Sequence, residues 1–203
     1  MFSRTMESVF NNVKGFDNVE LYMAHGRPIP ECFNEPLQKA LDDKCDWIWF
    51  VEEDMIIPPD TLKTMLSWNV PVVTVDYADR RTGIPLILRD IAERVIFSGM
   101  GCMLIKAEVF KKMEQPYVRP MVFHQVKEDN GDIRWEPQFN VKFNGYGGQD
   151  LYLCWKIAQL GYEIYELKDV KIGHQMLMTK AKDITNNGGD TIKIVYIENE
   201  SKT

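Results

Sequence analysis

The run Trp47-Ile48-Trp49-Phe50-Val51 constrains the fold more than any other stretch of this chain. Five consecutive apolar side chains, aromatic or β-branched throughout, are too few for a buried helix and present no polar face to water. Such a run suits a strand covered on both faces, as in a layered sheet. It leads directly into Glu52, Glu53 and Asp54, and the chain then breaks at Pro58-Pro59. A buried strand that ends in three carboxylates, with no basic residue beside them, needs a physical reason.

The flanking sequence supplies the rest of a layered domain. Met6, Val9, Phe10 and Val13 recur at helical spacing, so residues 4–14 are expected to form an amphipathic helix closed by Gly15. Val19, Leu21 and Met23 alternate and predict a strand that stops at Gly26-Arg27-Pro28. Phe33, Leu37, Ala40 and Leu41 predict a second helix, with Asn34 as N-cap and Pro36 in its first turn. Leu62, Met65 and Leu66 predict a helix over 60–68, and "VPVVTVDY" (70–77) a strand with Pro71 at its start.

Further on, residues 78–94 read as an exposed loop with a little local structure. Residues 95–106, "VIFSGMGCMLIK", read as a strand interrupted at Gly99 and Gly101, with a helix in "AEVFKKM". Residues 116–149 hold Pro116, Pro120, Pro137 and "FNGYGG", and predict a long loop carrying a hairpin. Leu151, Cys154, Trp155 and Ala158 mark a helix capped by Gly161, followed by a strand in "YEIYEL" and a final one in "TIKIVYI" (191–197). Strands and helices alternate up to residue 77, which argues for an α/β sandwich with a mostly parallel central sheet. The 203 residues suit one domain, with 175–203 as a C-terminal extension.

Composition narrows the class. Apolar residues make up 45% and charged residues 27%, as in ordinary globular proteins. No apolar run approaches the roughly 20 residues of a membrane span, and no signal-peptide core is visible, so a cytoplasmic protein without a membrane span is expected. The net charge of −6 disfavours non-specific binding to nucleic acid. Cys32, Cys45, Cys102 and Cys154 are far apart and form no CxxC pair, which suits reduced thiols rather than disulfides or a zinc site.

Two segments carry chemistry. In an extended chain Glu52 and Asp54 point to the same side. Such carboxylates repel unless a hard divalent ion, magnesium or manganese, lies between them. The structural alternative is a solvated acidic loop leading into a helix N-terminus. The second segment is "GYGGQDLYLCWKIAQLGYEIYELKDVKIGH" (145–174). Its Gly147-Gly148 pair permits close backbone approach to a ligand, and Asp150 suits either a helix N-cap or a general base. His174 follows a strand; it is either a packed residue or a neutral imidazole available to a metal.

Taken in order, the acidic strand end with "PPDTL", then "SGMGCMLIKAEVF", "GGQD" and "GYEIYELKDVKIGH" resemble the GT-A-fold glycosyltransferases of minimal phage or bacterial type. The resemblance covers residues 5–175 and implies a nucleotide-diphospho-sugar transferase fold, N-terminally shortened. It implies a nucleotide-sugar donor, UDP-linked by first expectation, and Mn2+ or Mg2+ as cofactor. Glu52-Glu53-Asp54 matches the DxD position, with Asp54 the metal ligand and Glu52 or Glu53 contacting metal-bound water or sugar. Gly99 and Gly101 match a segment lining the donor and acceptor region, together with Gly148. Asp150 matches the base of inverting members, and His174 the late histidine that completes the metal site.

His25, Gly26 and Arg27 are the candidates for base and ribose contacts in place of the family's first strand. Arg80 and Arg81 are either diphosphate ligands or a solvated pair. Trp135 and Tyr146 are either a sugar-stacking surface or core. The trio is EED rather than DxD, and Gln149 stands where many inverting members have an acid, so inverting and retaining outcomes both stay open. The acceptor (a glycan, a protein, a lipid-linked sugar or a modified nucleic-acid base) and assembly into a homo-oligomer are equally open. A nucleotidyltransferase of related fold and a non-catalytic sugar- or nucleotide-binding module are the competing readings.

Overall fold

A computed structural model of the chain describes residues 3–24, 29–79, 83–127, 133–139, 148–174, 176–178 and 193–195. The elements run α1 (Ser3–Val13), α2 (Ile29–Asp42), β1 (Trp47–Val51), β2 (Met55–Ile56), α3 (Thr61–Ser67), β3 (Val72–Thr74), β4 (Ile87–Arg89), β5 (Val95–Ser98) and β6 (Cys102–Lys106). There follow α4 (Ala107–Lys111), β7 (Met121–Lys127), β8 (Ile133–Phe139), α5 (Gln149–Gln159), β9 (Tyr165–Glu166), β10 (Gly173–His174), β11 (Met176–Met178) and β12 (Lys193–Val195).

The central sheet has the order β1-β6-β3-β9 and is mixed, which corrects the expectation of a mostly parallel one. Strand β6 runs antiparallel to both of its neighbours, and only β3 and β9 pair in parallel. Side chains along these strands alternate between two apolar layers. Ile48, Phe50, Val72, Met103 and Ile105 face a cluster completed by Leu37 of α2, Phe110 of α4 and Leu153 and Ile157 of α5. Trp47, Trp49, Val73, Cys102 and Leu104 face the opposite cluster, with Met55 of β2 and Leu62 and Met65 of α3. The apolar run at 47–51 is therefore covered on both faces, as its composition requires.

Other local expectations were overridden by tertiary contacts. Residues 19–23 form no strand; Val19, Leu21 and Met23 are 45%, 51% and 60% exposed. Asn34 lies inside α2 rather than at its start. Its side chain clamps another loop instead, donating to the Val118 carbonyl at 2.8 Å and accepting from the Val118 N–H at 3.0 Å. Within 78–94 the chain forms β4, which pairs with β5 in a hairpin. Arg89 on that hairpin binds Glu166 of β9 at 2.6 Å. The break at Gly99–Gly101 separates β5 from β6, which lie in different sheets. The expected hairpin within 116–149 is β7–β8, and the described part of the last strand pairs with β11.

Helix α1 reaches the acidic end of β1 and holds the loop beyond it. The Thr5 hydroxyl donates to the Glu53 carbonyl at 2.8 Å. Asn12 is buried: its amide donates to the Ser8 and Pro58 carbonyls, both at 2.9 Å, and its oxygen accepts the Leu62 N–H of α3 at 3.1 Å. Asp60, at the start of α3, has φ 63° and no capping hydrogen bond from its own side chain. Asn12 on another helix thus satisfies one of the orphan donors that every helix start presents.

Candidate functional site

Beyond Val51 the chain leaves β1 and turns, with the Met55 N–H donating to the Glu52 carbonyl at 3.3 Å. The turn points Glu53 to solvent, while Asp54 is buried with 8% of its surface exposed. The chain then enters β2, which pairs with β10 in the register Gly173↔Ile56 and His174↔Met55. This two-residue pairing brings the end of "VKIGH" back to the acidic trio.

His174 Nε2 lies 3.1 Å from Asp54 Oδ2, and His174 Nδ1 lies 2.9 Å from the Ala78 carbonyl oxygen. A carbonyl only accepts, so Nδ1 carries the hydrogen. In the neutral ring Nε2 is then a lone pair facing a carboxylate oxygen, and either a proton or a cation must lie between the two. A histidine whose other nitrogen donates to a backbone carbonyl is the usual second-shell arrangement of a metal ligand. Two ligands at about 2.1–2.2 Å from one ion, at right angles, lie about 3 Å apart. Among the described residues no group of three histidine, cysteine or acidic side chains is gathered around one point, and two, Asp54 and His174, stand close there. That number fits an ion whose remaining ligands are water and phosphate oxygens.

Two further carboxyl groups, Glu52 and Asp150, are electrostatically linked to this end of the strand. Burial pushes the Glu52 carboxyl up to about 7, with added repulsion from Asp54 and then Asp150. Asp150 is raised chiefly by burial, against the hydrogen bond that its Oδ1 accepts from the Leu151 N–H at 2.9 Å. Asp150 is not the N-cap of α5; that position is Gly148, and Asp150 is the second residue of the helix. The N-cap reading of Asp150 placed the start of α5 two residues too late, because Gly148, left-handed at φ 90°, is already its cap.

The glycines singled out by sequence have immediate neighbours in the protein. A Cβ on Gly148 would lie 2.0 Å from the Met121 carbonyl oxygen, so the close approach it permits is between α5 and β7. Gly99 and Gly101 lie against Tyr77, where a Cβ would meet the Tyr77 hydroxyl at 2.3 Å and Cζ at 2.6 Å respectively. Tyr77, Ala78, Thr5 and Asn12 are site-supporting residues that sequence reading missed. Only Tyr77 carried a signal: it ends an apolar strand segment, as Glu52 does. His25, Gly26, Arg27, Arg80, Arg81 and Tyr146 lie outside the described residues, and Trp135 falls within β8. A separate open groove of about 460 Å³, between Trp68, Ile96, Ala158 and Tyr165, shares no residue with the acidic site.

No protein-family model and no curated protein matches the chain. Among solved structures, the crystal structure of A197 from STIV is similar, with a TM-score of 0.56 and 16% identity over 98% of this chain and 93% of that one. The two share a fold. At this identity the likeness carries no residue roles. The architecture shared is a mixed α/β one, and among the described residues no helix is long and apolar enough to cross a membrane.

Proposed function

We propose that this protein is a divalent-cation-dependent glycosyltransferase of GT-A type, moving a sugar from a nucleotide-sugar donor, UDP-linked by first expectation, to an acceptor hydroxyl. The observation that carries this reading is the Asp54–His174 pair, 3.1 Å apart beyond the end of a buried strand, with Glu52 feeling the charge of both Asp54 and Asp150. Carboxylates in a poorly solvated place cost free energy, and perturbed carboxyls cluster at functional sites.

Asp54 and His174 would hold Mn2+ or Mg2+, and the Ala78 carbonyl fixes the imidazole for that purpose. Such an ion, when bound, offsets the negative charge of a departing nucleoside diphosphate. Glu52, close to both Asp54 and Asp150, is placed to accept hydrogen bonds from sugar hydroxyls or from water. Asp150 is the base. In an inverting transfer the acceptor oxygen forms the new bond to the anomeric carbon and its proton passes to the Asp150 carboxylate. The bond to the diphosphate oxygen breaks with its electron pair leaving on that oxygen. A carboxyl raised by burial holds that proton better than a solvated one, as general-base chemistry near neutral pH requires.

The test is release of free UDP from a panel of UDP-sugars with manganese, for the wild type and Asp54→Ala. Slow, manganese-dependent hydrolysis that vanishes in the variant supports the reading. Tight donor binding without any hydrolysis points to a sugar-binding module, and release of pyrophosphate from a nucleoside triphosphate points to a nucleotidyltransferase.

A further inference from the structure

Tyr77 belongs to none of the motifs above, yet the acidic site is arranged around it. It follows β3 and is buried, with 5% of its surface exposed. Its hydroxyl oxygen accepts the Gly101 N–H at 2.8 Å, and the hydroxyl is directed at Glu52 Oε2, 3.5 Å away. A phenol has one proton; with the Gly101 amide on a lone pair, that proton is aimed toward Glu52 across a long contact. The Tyr77 ring stands edge-on to His174 with centroids 5.5 Å apart and planes at 83°. The next residue, Ala78, holds the other side of that imidazole. Two consecutive residues therefore fix both Glu52 and His174.

The cost of this placement is visible in the backbone. Both Gly99 and Gly101 lack the space for a Cβ because the ring occupies it.

We propose that Tyr77 is a positioning residue of the cation site: its ring fixes the plane of His174 toward the ion held with Asp54, and its hydroxyl holds the neighbouring Glu52 carboxyl in place. This rests on the metal reading of Asp54 and His174 given above.

The test titrates Mn2+ alone into the full chain and follows the electron paramagnetic resonance signal of the free ion. Wild type, Tyr77→Phe and Tyr117→Phe are compared. Tyr117 is also buried, in the opposite core cluster, and its hydroxyl donates to Gln38 Oε1 at 3.0 Å, so it reports the generic effect of losing a buried hydroxyl. The Mn2+ dissociation constant should rise about tenfold in Tyr77→Phe, the range of outer-shell substitutions at metal sites, and stay unchanged in Tyr117→Phe. Should Tyr77→Phe lack a cooperative unfolding transition, 4-aminophenylalanine and 4-methylphenylalanine at position 77 replace it. They fill the same space with and without a polar hydrogen, and only the amino analogue should bind Mn2+ as the wild type does. Equal affinity with and without the donor overturns the role of Tyr77 and leaves the metal reading intact. No Mn2+ binding by the wild type overturns the metal reading and this proposal with it.

Discussion

The imidazole of His174 stands 3.1 Å from the carboxylate of Asp54, across 120 residues of chain. The contact exists because β10 pairs with β2, setting His174 opposite Met55, the residue after Asp54. It supplies the partner that the acidic trio lacks in its own sequence neighbourhood.

Removing that carboxylate should separate the metal from the nucleotide. Calorimetry of UDP with manganese should show affinity at least tenfold weaker in Asp54→Ala than in the wild type, because outer contacts alone rarely replace a ligand. EDTA should weaken the wild type to the same level. Equal binding in all three conditions would remove the ion from the donor site.

Asp150→Asn should keep the fold, since its amide oxygen still accepts the Leu151 N–H. Transfer should fall by roughly 10²–10⁴-fold, the usual contribution of a general base. Donor binding should change little. Near-normal turnover with an inverted product, seen by NMR of the anomeric proton, would show that Asp150 is not the base.

Glu52 predicts a dependence of stability on pH. Its carboxyl sits at about 7 in the folded protein against 4.5 for the ordinary group, so the native state holds a proton that the unfolded chain releases. Stability then falls as pH rises from about 4.5 to 7 and is level above that, with a total effect of at most about 3 kcal/mol. Glu52→Gln should flatten this slope and raise the unfolding temperature at pH 8, with the two proteins converging near pH 4. A parallel pair of curves from thermal melts would contradict it.

Asn12→Ala should destabilise the protein by about 1–3 kcal/mol, because the Leu62 N–H and two carbonyls lose a buried partner. For a chain of this size that lowers the unfolding temperature by roughly 2–4 °C per kcal/mol. Hydrogen exchange should quicken at the start of α3 and in the loop at 52–60. Exchange that quickens elsewhere but not there would show that Asn12 does not hold this loop.

Much of the fold was legible locally. The run at 47–51 announced a strand covered on both faces, and the periodicity at 4–14, at 60–68 and at Leu151, Cys154, Trp155 and Ala158 announced helices, because those patterns record which side chains leave water. The carboxylates at the end of that strand were legible for the same reason: a buried arm that stops in charge must stop at an edge of the core. Asn34 and Asp150 show the limit of such reading. Each is a good capping residue, and in the protein neither caps, since Asn34 binds the Val118 backbone and Gly148 already occupies the cap of α5.

By itself, then, the sequence determined which segments are buried and where the acidic loop begins, because hydrophobic period is written into neighbouring residues. Only the tertiary structure decided that β6 enters between β1 and β3 antiparallel to both, that Val19, Leu21 and Met23 stay outside the sheet, and that His174 and Tyr77 meet the acids. Strand direction and strand partner are chosen by which edge leaves the fewest backbone groups unpaired and the least apolar surface in water. That choice depends on every element at once, and no stretch of neighbouring residues contains it.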